Sequence, residues 1–313
     1  MEKAKKEKDN VSMRYLNLKT KPSENIAFAS IIAALYCVLS LLIAFFPSLS
    51  IPFAVFLPLF SALVGTLCLP TYVFSFAIGS SLLCLGVSYF NVGEILFSVI
   101  PSILTGSFFG MLLKRKVQDE LIIVLVSLLQ MGLNYLAVFL LQNVFGLDPI
   151  DTFLKLFKME RTSRIDALIP SLLLTVSFLQ TSLTNFLVGL LAMRLTLPET
   201  KCFSFPKTTL PILGLCSVFL TMSIGYFNLL FGSLFLVFSI YFAIVSVSLL
   251  LKEKRWWIYL LGGISLLLLF FLRTALLNHY QEGILLYSLF TLPLDFIALF
   301  SNLLKRREND EIS

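Results

Sequence analysis

The sequence predicts an all-α protein, a polytopic transmembrane helical bundle of about ten spans. Three observations lead there. Hydrophobic residues make up 58% of the 313 and charged ones only 13%, with 31 Phe and a mean hydropathy of +0.92, too much apolar surface for one soluble core behind a wettable exterior. Apolar windows long enough to cross a bilayer follow one another with few interruptions. When these windows are threaded in and out, the basic clusters all fall on one side: Lys114-Arg115-Lys116, KEKR at 252–255, Lys305-Arg306-Arg307, a basic N-terminal head, and Arg194, Lys201 and Lys207. Cytoplasmic loops carry such an excess of Lys and Arg, so both termini are expected in the cytoplasm.

Residues 1–25 are polar and mixed in sign, with no apolar core and cleavage site of a signal peptide, and are expected to form a cytoplasmic tail. Spans are then expected at roughly 26–46, 51–69, 71–90, 93–113, 121–145, 166–193, 208–225, 229–251, 256–273 and 284–304. The run 208–251 is too long for one tilted helix, and Gly225-Tyr226-Phe227-Asn228 supplies a turn that divides it while keeping KEKR inside. Prolines at 52, 58, 70, 101, 170, 211 and 293 are placed to kink or end helices. The segments 194–207 and 305–313 complete the cytoplasmic side as a loop and a tail.

The net charge of +6 comes from short loops and tails beside apolar runs, which points to anionic lipid headgroups as partners and away from nucleic acid. Cys37, Cys68, Cys84 and Cys216 lie in apolar runs and Cys202 in a loop, without C-x-x-C spacing, so free thiols are expected. His279, with Asn278, Tyr280 and Gln281, is placed in an exterior loop and has no ligand spacing around it; no metal and no cofactor are expected. Motifs for ATP binding, zinc proteolysis and serine hydrolysis are lacking, as is a pair of intramembrane aspartates, and an enzyme is not expected.

On the exterior side, the stretch 146–165 is longer than its neighbours. Asp148 followed by Pro149 has the form of an N-cap and first helical residue. Ile150, Phe153, Leu154 and Phe157 share one face, with Asp151, Lys155 and Lys158 on the other, so a short interfacial helix is expected, either fixing span ends or acting as a lid over an outward-facing pocket.

Polar side chains inside spans must find partners or line a wet cavity. Gln130 and Asn134, one turn apart on the fifth span, and Gln180, Thr181, Thr184 and Asn185 on the sixth form the main set. Gln130 and Gln180 are expected at similar depth, where they either bond each other or meet a ligand. Asn134 lies nearer the outer side, where Tyr89, Asn91 and Glu94 of the turn before the fourth span can face it; Glu94 is also favoured there by the helix dipole. Asp295, deep in the last span after Pro293, is a candidate for an intramembrane hydrogen bond, an ion pair with Arg273 or the Lys305 cluster, or a proton site.

Ala29 and Ala33 stand one turn apart on the first span, a small-x-x-x-small face that admits close approach of another helix. This segment, with a short turn at 47–52 and a proline-rich second span, resembles the N-terminal part of the substrate-binding S-components of energy-coupling-factor vitamin transporters, over about residues 26–193. The resemblance implies a six-span unit whose first helix meets a transmembrane coupling subunit through Ala29 and Ala33. The whole chain is similar to the YybS-like bacterial membrane proteins, an uncharacterised family placed with that superfamily: Leu292-Pro293-Leu294-Asp295 with the basic Lys305-Arg306-Arg307 carries the likeness at the C-terminal end. The Ala-Arg motifs of a coupling subunit are missing, so the last four spans do not resemble a fused one.

The expected organisation is a six-span S-component-like unit at 26–193 and a four-span unit at 208–304, in a bacterial inner membrane. The expected function is binding or transport of a small, vitamin-like molecule without an ATPase of its own. Tyr89, Asn91, Glu94, Asn134, Gln130 and Gln180 are the candidate binding residues, and an energy-coupling ATPase and transmembrane module the expected partner. The alternative is a noncatalytic scaffold in a cell-envelope assembly, since S-component-like folds include one that serves in wall synthesis; the polar pairs then only join helices.

Overall fold

The computed structural model describes residues 19, 21–46, 48, 50–156, 158, 160–195, 208–251, 256–277 and 283–312. Most of the N-terminal tail, the loop 196–207 with Cys202, the KEKR cluster and His279 with its neighbours lie outside the described residues, as do the side chains of Arg194, Lys305, Arg306 and Arg307. The described residues are helical throughout, without strands.

Polar and apolar side chains are distributed in the reverse of a soluble protein. Ile31, Phe74, Ile78, Leu82, Leu179, Phe186 and Phe219 each leave more than half of their surface exposed, while Asn25, Gln130, Asn134, Asp295 and many Ser and Thr are buried. A chain with hydrocarbon as its solvent folds this way, because its polar groups must be satisfied internally. Among the described residues, eight helices are long and apolar enough to cross a membrane. The other two expected spans correspond to the helices Ser50–Leu67 and Trp256–Leu276, whose side chains are described only in part.

The chain forms two compact units, 1–160 with 176–204, and 161–175 with 205–313. The start of the sixth expected span thus groups with the second unit and not with the first.

In the first unit, α1 (Pro22–Phe45), α2 (Ser50–Leu67) and α3 (Pro70–Val87) begin the bundle, and Pro22 and Pro70 open their helices where a missing N–H costs nothing. α4 (Ile100–Lys114) is preceded by irregular turns from Tyr89 to Val99 that end in a π turn, Ile95–Val99. The fourth expected span is therefore not uniform, and Pro101 gives the reason: it cannot donate back to the preceding turn, and the Ile100 amide instead reaches Ile95. α5 (Asp119–Val144), α6 (Pro149–Leu156) and α7 (Ser163–Leu195) follow.

The hydrogen bonds that tie these helices fall at two ends, as alternate threading requires. At one end Asn25 is completely buried: its Nδ2 donates to the Lys19 and Lys21 carbonyls (2.7 and 2.8 Å), and its Oδ1 accepts from the Leu69 amide (2.8 Å). Beside it Lys114 Nζ donates to the Cys68 carbonyl at 2.7 Å. At the other end Ser88 bonds Ser40, Asn91 donates to the Ala44 carbonyl, and the rings of Phe45 and Phe90 pack 4.9 Å apart. Replacing Asn25 with Ala strands the Leu69 amide and removes the side-chain donor to the Lys19 carbonyl, while the Lys21 carbonyl keeps the backbone amide of residue 25. A loss of about 2 kcal/mol is expected, read as a lower melting temperature and faster hydrogen exchange at the Leu69 amide.

The short helix α6 starts as its sequence predicts. Asp148 Oδ1 accepts from the Ile150 and Asp151 amides and from Gln142 Nε2 on α5 (3.0, 3.1 and 3.1 Å), which pins the helix start to the span before it. Leu154 is buried, whereas Lys155 points outward and pairs with Asp151 at 2.6 Å; that carboxylate raises the Lys155 pKa above its ordinary value.

In the second unit, α8 (Thr209–Phe227) and α9 (Leu229–Leu251) form a hairpin at the predicted turn. Gly225 and Gly232 lie Cα against Cα, and Asn228 Oδ1 accepts from the Leu230 amide at 3.0 Å to cap α9. The run 208–251 is accordingly two helices. α10 (Trp256–Leu276), a 3-10 turn (Leu285–Phe290) and α11 (Leu292–Ile312) complete the unit.

Candidate functional site

The geometry of the first unit is set by the crossing of α2 and α4. A Cβ at Gly106 would collide with Ser61 Oγ and the Pro58 carbonyl, and one at Gly110 with the Ala62 carbonyl and the Cα of Gly65. The backbones touch because small residues on both helices, Ser61 and Gly65 against Gly106 and Gly110, leave nothing between them. That closeness lets hydroxyls reach across: Ser61 Oγ donates to the Ser102 carbonyl at 2.9 Å. The buried Tyr36 of α1 donates to the Leu57 carbonyl, with its hydroxyl 3.0 Å from Ser61 Oγ.

From Ser102 the polar chain continues outward to α7 and α5. Gln180 Nε2 donates to Ser102 Oγ at 3.4 Å, and Gln130 Nε2 donates to Gln180 Oε1. Ser127 Oγ donates to the Ser177 carbonyl at 3.3 Å one turn away. Five helices of the unit are joined in this way, and an interhelical amide pair of this kind contributes about 1 kcal/mol.

The network is incomplete at one place. Gln130 Oε1, Asn134 Oδ1 and Thr181 Oγ1 are buried without a hydrogen-bond partner. Gln130 and Thr181 line a cleft with Thr105, Gly106, Val126 and Thr184 that is too narrow to admit a water-sized sphere. Each partnerless polar atom in such a place costs roughly 1–3 kcal/mol. Three on facing helices mark the spot where the unit is least satisfied by its own chain.

The other expected binding residues are placed differently. Tyr89 is 75% exposed and stacks edge to face on Phe90. Asn91 is engaged with the Ala44 carbonyl and so closes the end of α1. Glu94 is half-buried, and its carbonyl accepts from Ser98. Ala29 and Ala33 are half-buried on one wall of an open groove of about 210 Å³ between α1 and α3, whose opposite wall includes Tyr72, Ser75 and Gly79.

In the second unit, Asp295 and Arg273 are not paired. Asp295 is fully buried, and its Oδ1 accepts from Ser246 Oγ of α9 at 2.6 Å. Arg273 lies over the Tyr287 ring, 4.2 Å from its centroid, in a cation–π contact, and of the alternatives for Asp295 the hydrogen bond is the one present. Gly214 of α8 packs directly on the Asp295 carboxyl, where a Cβ would meet both oxygens.

Sequence reasoning did not single out Tyr36, Ser61, Ser102, Gly214 or Ser246. Ser61-x-x-x-Gly65 and Gly106-x-x-x-Gly110 carry the same small-residue spacing as Ala29 and Ala33 and could have signalled the α2–α4 crossing. Nothing local marks Gly214 or Ser246, which matter through Asp295, a residue far along the chain. No grouping of His, Cys, Asp and Glu suited to a metal occurs among the described residues.

Eight apolar helices with polar side chains turned inward define a multi-pass membrane protein. No family model, no curated protein and no solved structure matches the chain.

Proposed function

We propose that the chain is the membrane-embedded binding component for a small polar molecule, held between α5 and α7 and moved with energy supplied by another polypeptide. The observation that carries this reading is the set of buried, partnerless atoms Gln130 Oε1, Asn134 Oδ1 and Thr181 Oγ1. A ligand bringing hydrogen-bond donors would satisfy what the protein leaves open. The narrow cleft requires α5 and α7 to part on binding, and α6, pinned to the end of α5 through Asp148, is placed to follow that movement. The S-component-like organisation of residues 26–193, cytoplasmic termini and a bacterial inner membrane belong to the same proposal, as does a coupling partner at the Ala29 and Ala33 groove.

The test is mass spectrometry of the small molecules and proteins that co-purify with the full chain in mild detergent. A stoichiometric metabolite is expected from the unaltered protein. It should be lost from the double variant Asn134→Leu, Thr181→Val, which removes two of the partnerless atoms, while the melting temperature stays within a few degrees. An unchanged metabolite in that variant removes the pocket.

A second reading, a noncatalytic scaffold in a cell-envelope assembly, is favoured by one observation: the polar cleft is closed even to water, while the small-residue groove between α1 and α3 is open. Envelope proteins without a metabolite in the same preparation would select it.

A further inference from the structure

The second unit contains a buried acid for which neither ligand binding in the first unit nor helix packing accounts. Asp295 lies in the span Leu285–Leu303, ten residues from one end (295 − 285) and eight from the other (303 − 295), and none of its surface is exposed. Among the described residues its carboxyl accepts one hydrogen bond, from Ser246 to Oδ1, and Oδ2 has no partner. As an anion the group has one hydroxyl donor and no cation among the described side chains, an arrangement that membrane interiors disfavour. As an acid with its proton on Oδ2, it has no acceptor for that proton. Neither protonation state is fully satisfied, whereas an acid retained only for packing would settle in one.

No other charge among the described side chains decides the matter. α8, α9, α10 and the 3-10 turn pack against α11, and their described titratable side chains are Cys216, Tyr226, Tyr241, Arg273 and Tyr287. Cys216, Tyr226 and Tyr287 are exposed, Tyr241 packs on the Phe242 ring, and Arg273 lies on Tyr287; none bonds Asp295.

The seam around the acid is lined by hydroxyls. On α11 and the turn before it, Ser288 and Thr291 are buried toward one end of the span and Ser301 toward the other. Thr291 Oγ1 lies 3.0 Å from Ser239 Oγ of α9, and Ser217 and Thr221 are buried on α8. Ser288, Thr291, Ser217 and Thr221 each donate to a carbonyl of their own segment, and Ser246 is the described hydroxyl that bonds the carboxyl. Gly214, with no side chain, leaves room for the carboxyl where the helices meet.

We propose that Asp295 is a reversible proton-binding site in the last span, its proton exchanged at the partnerless Oδ2 while Ser246 holds Oδ1. The inference does not depend on the small-molecule reading of the first unit.

Dicyclohexylcarbodiimide, a lipophilic reagent that modifies protonated carboxyl groups in apolar surroundings, tests it on the purified full chain in detergent, with peptide mass spectrometry to locate the adduct. The expected result is labelling at Asp295 that falls about tenfold per pH unit above a single midpoint, is insensitive to sodium at fixed pH, and is absent in Asp295→Asn. Ser246→Ala should move the midpoint, which a purely structural acid would not report. Infrared difference spectra of the unaltered protein between acid and alkaline pH should show the carboxylic C=O band of the same group appear and vanish. Absence of labelling at every pH, labelling independent of pH, or protection by sodium, which would make the site a metal-cation site, each overturns the proposal.

Discussion

Gly106→Leu is expected to leave little folded protein. At this position the obstacles are backbone atoms, the Pro58 carbonyl carbon and oxygen, together with Ser61 Oγ, so no side-chain rotation makes room. The helices α2 and α4 must separate, and with them goes the buried Ser61 to Ser102 bond. Overpacking of this kind costs about 1–3 kcal/mol in side chains that can shift and more where backbone must move. Added to the lost buried bond, the total reaches a large part of the roughly 5–15 kcal/mol by which proteins are stable. The measurement is monodisperse yield and thermal unfolding in detergent, with Gly132→Leu as the control, since a Cβ at Gly132 meets nothing within 4 Å. A Gly106→Leu protein that melts with the control would mean that the α2–α4 backbone contact is not as close as described.

Gly214→Ala is expected to destabilise the second unit by about 2 kcal/mol, and Asp295→Ala to reverse part of that loss. The added methyl group falls on the Asp295 carboxyl, a short side chain held by Ser246 on its other side. Removing the carboxyl opens the volume that the methyl then fills, so the two substitutions together should cost less than their sum. A coupling of about 1 kcal/mol or more is expected from residues in direct contact. Thermal unfolding of the two single variants and the double variant gives the cycle; strict additivity would show that Gly214 and the carboxyl do not touch.

Parts of this architecture were legible in the chain because they depend on near neighbours. The start of α6 follows from Asp148 and Pro149, whose side chain and ring act on the next few residues, and the α8–α9 turn follows from Asn228 in an apolar run too long for one helix. Gln130 and Gln180 could be set at one depth by counting residues along two spans, and the structure joins them. Asp295 and Arg273 could not be resolved by counting. Depth leaves open which way a side chain turns, and Arg273 turns to Tyr287.

By itself the sequence determined the solvent and the helical class, because hydrocarbon imposes a length and a composition on every segment that crosses it. Only the tertiary structure decided which buried polar atoms remain without partners, among them Gln130 Oε1, Asn134 Oδ1, Thr181 Oγ1 and Asp295 Oδ2, and that glycines from distant segments meet at α2–α4 and at the carboxyl of Asp295. Hydrogen bonding and backbone contact act over about 3 Å, and whether two residues come within that reach is settled by helix rotation and crossing, which no single segment encodes.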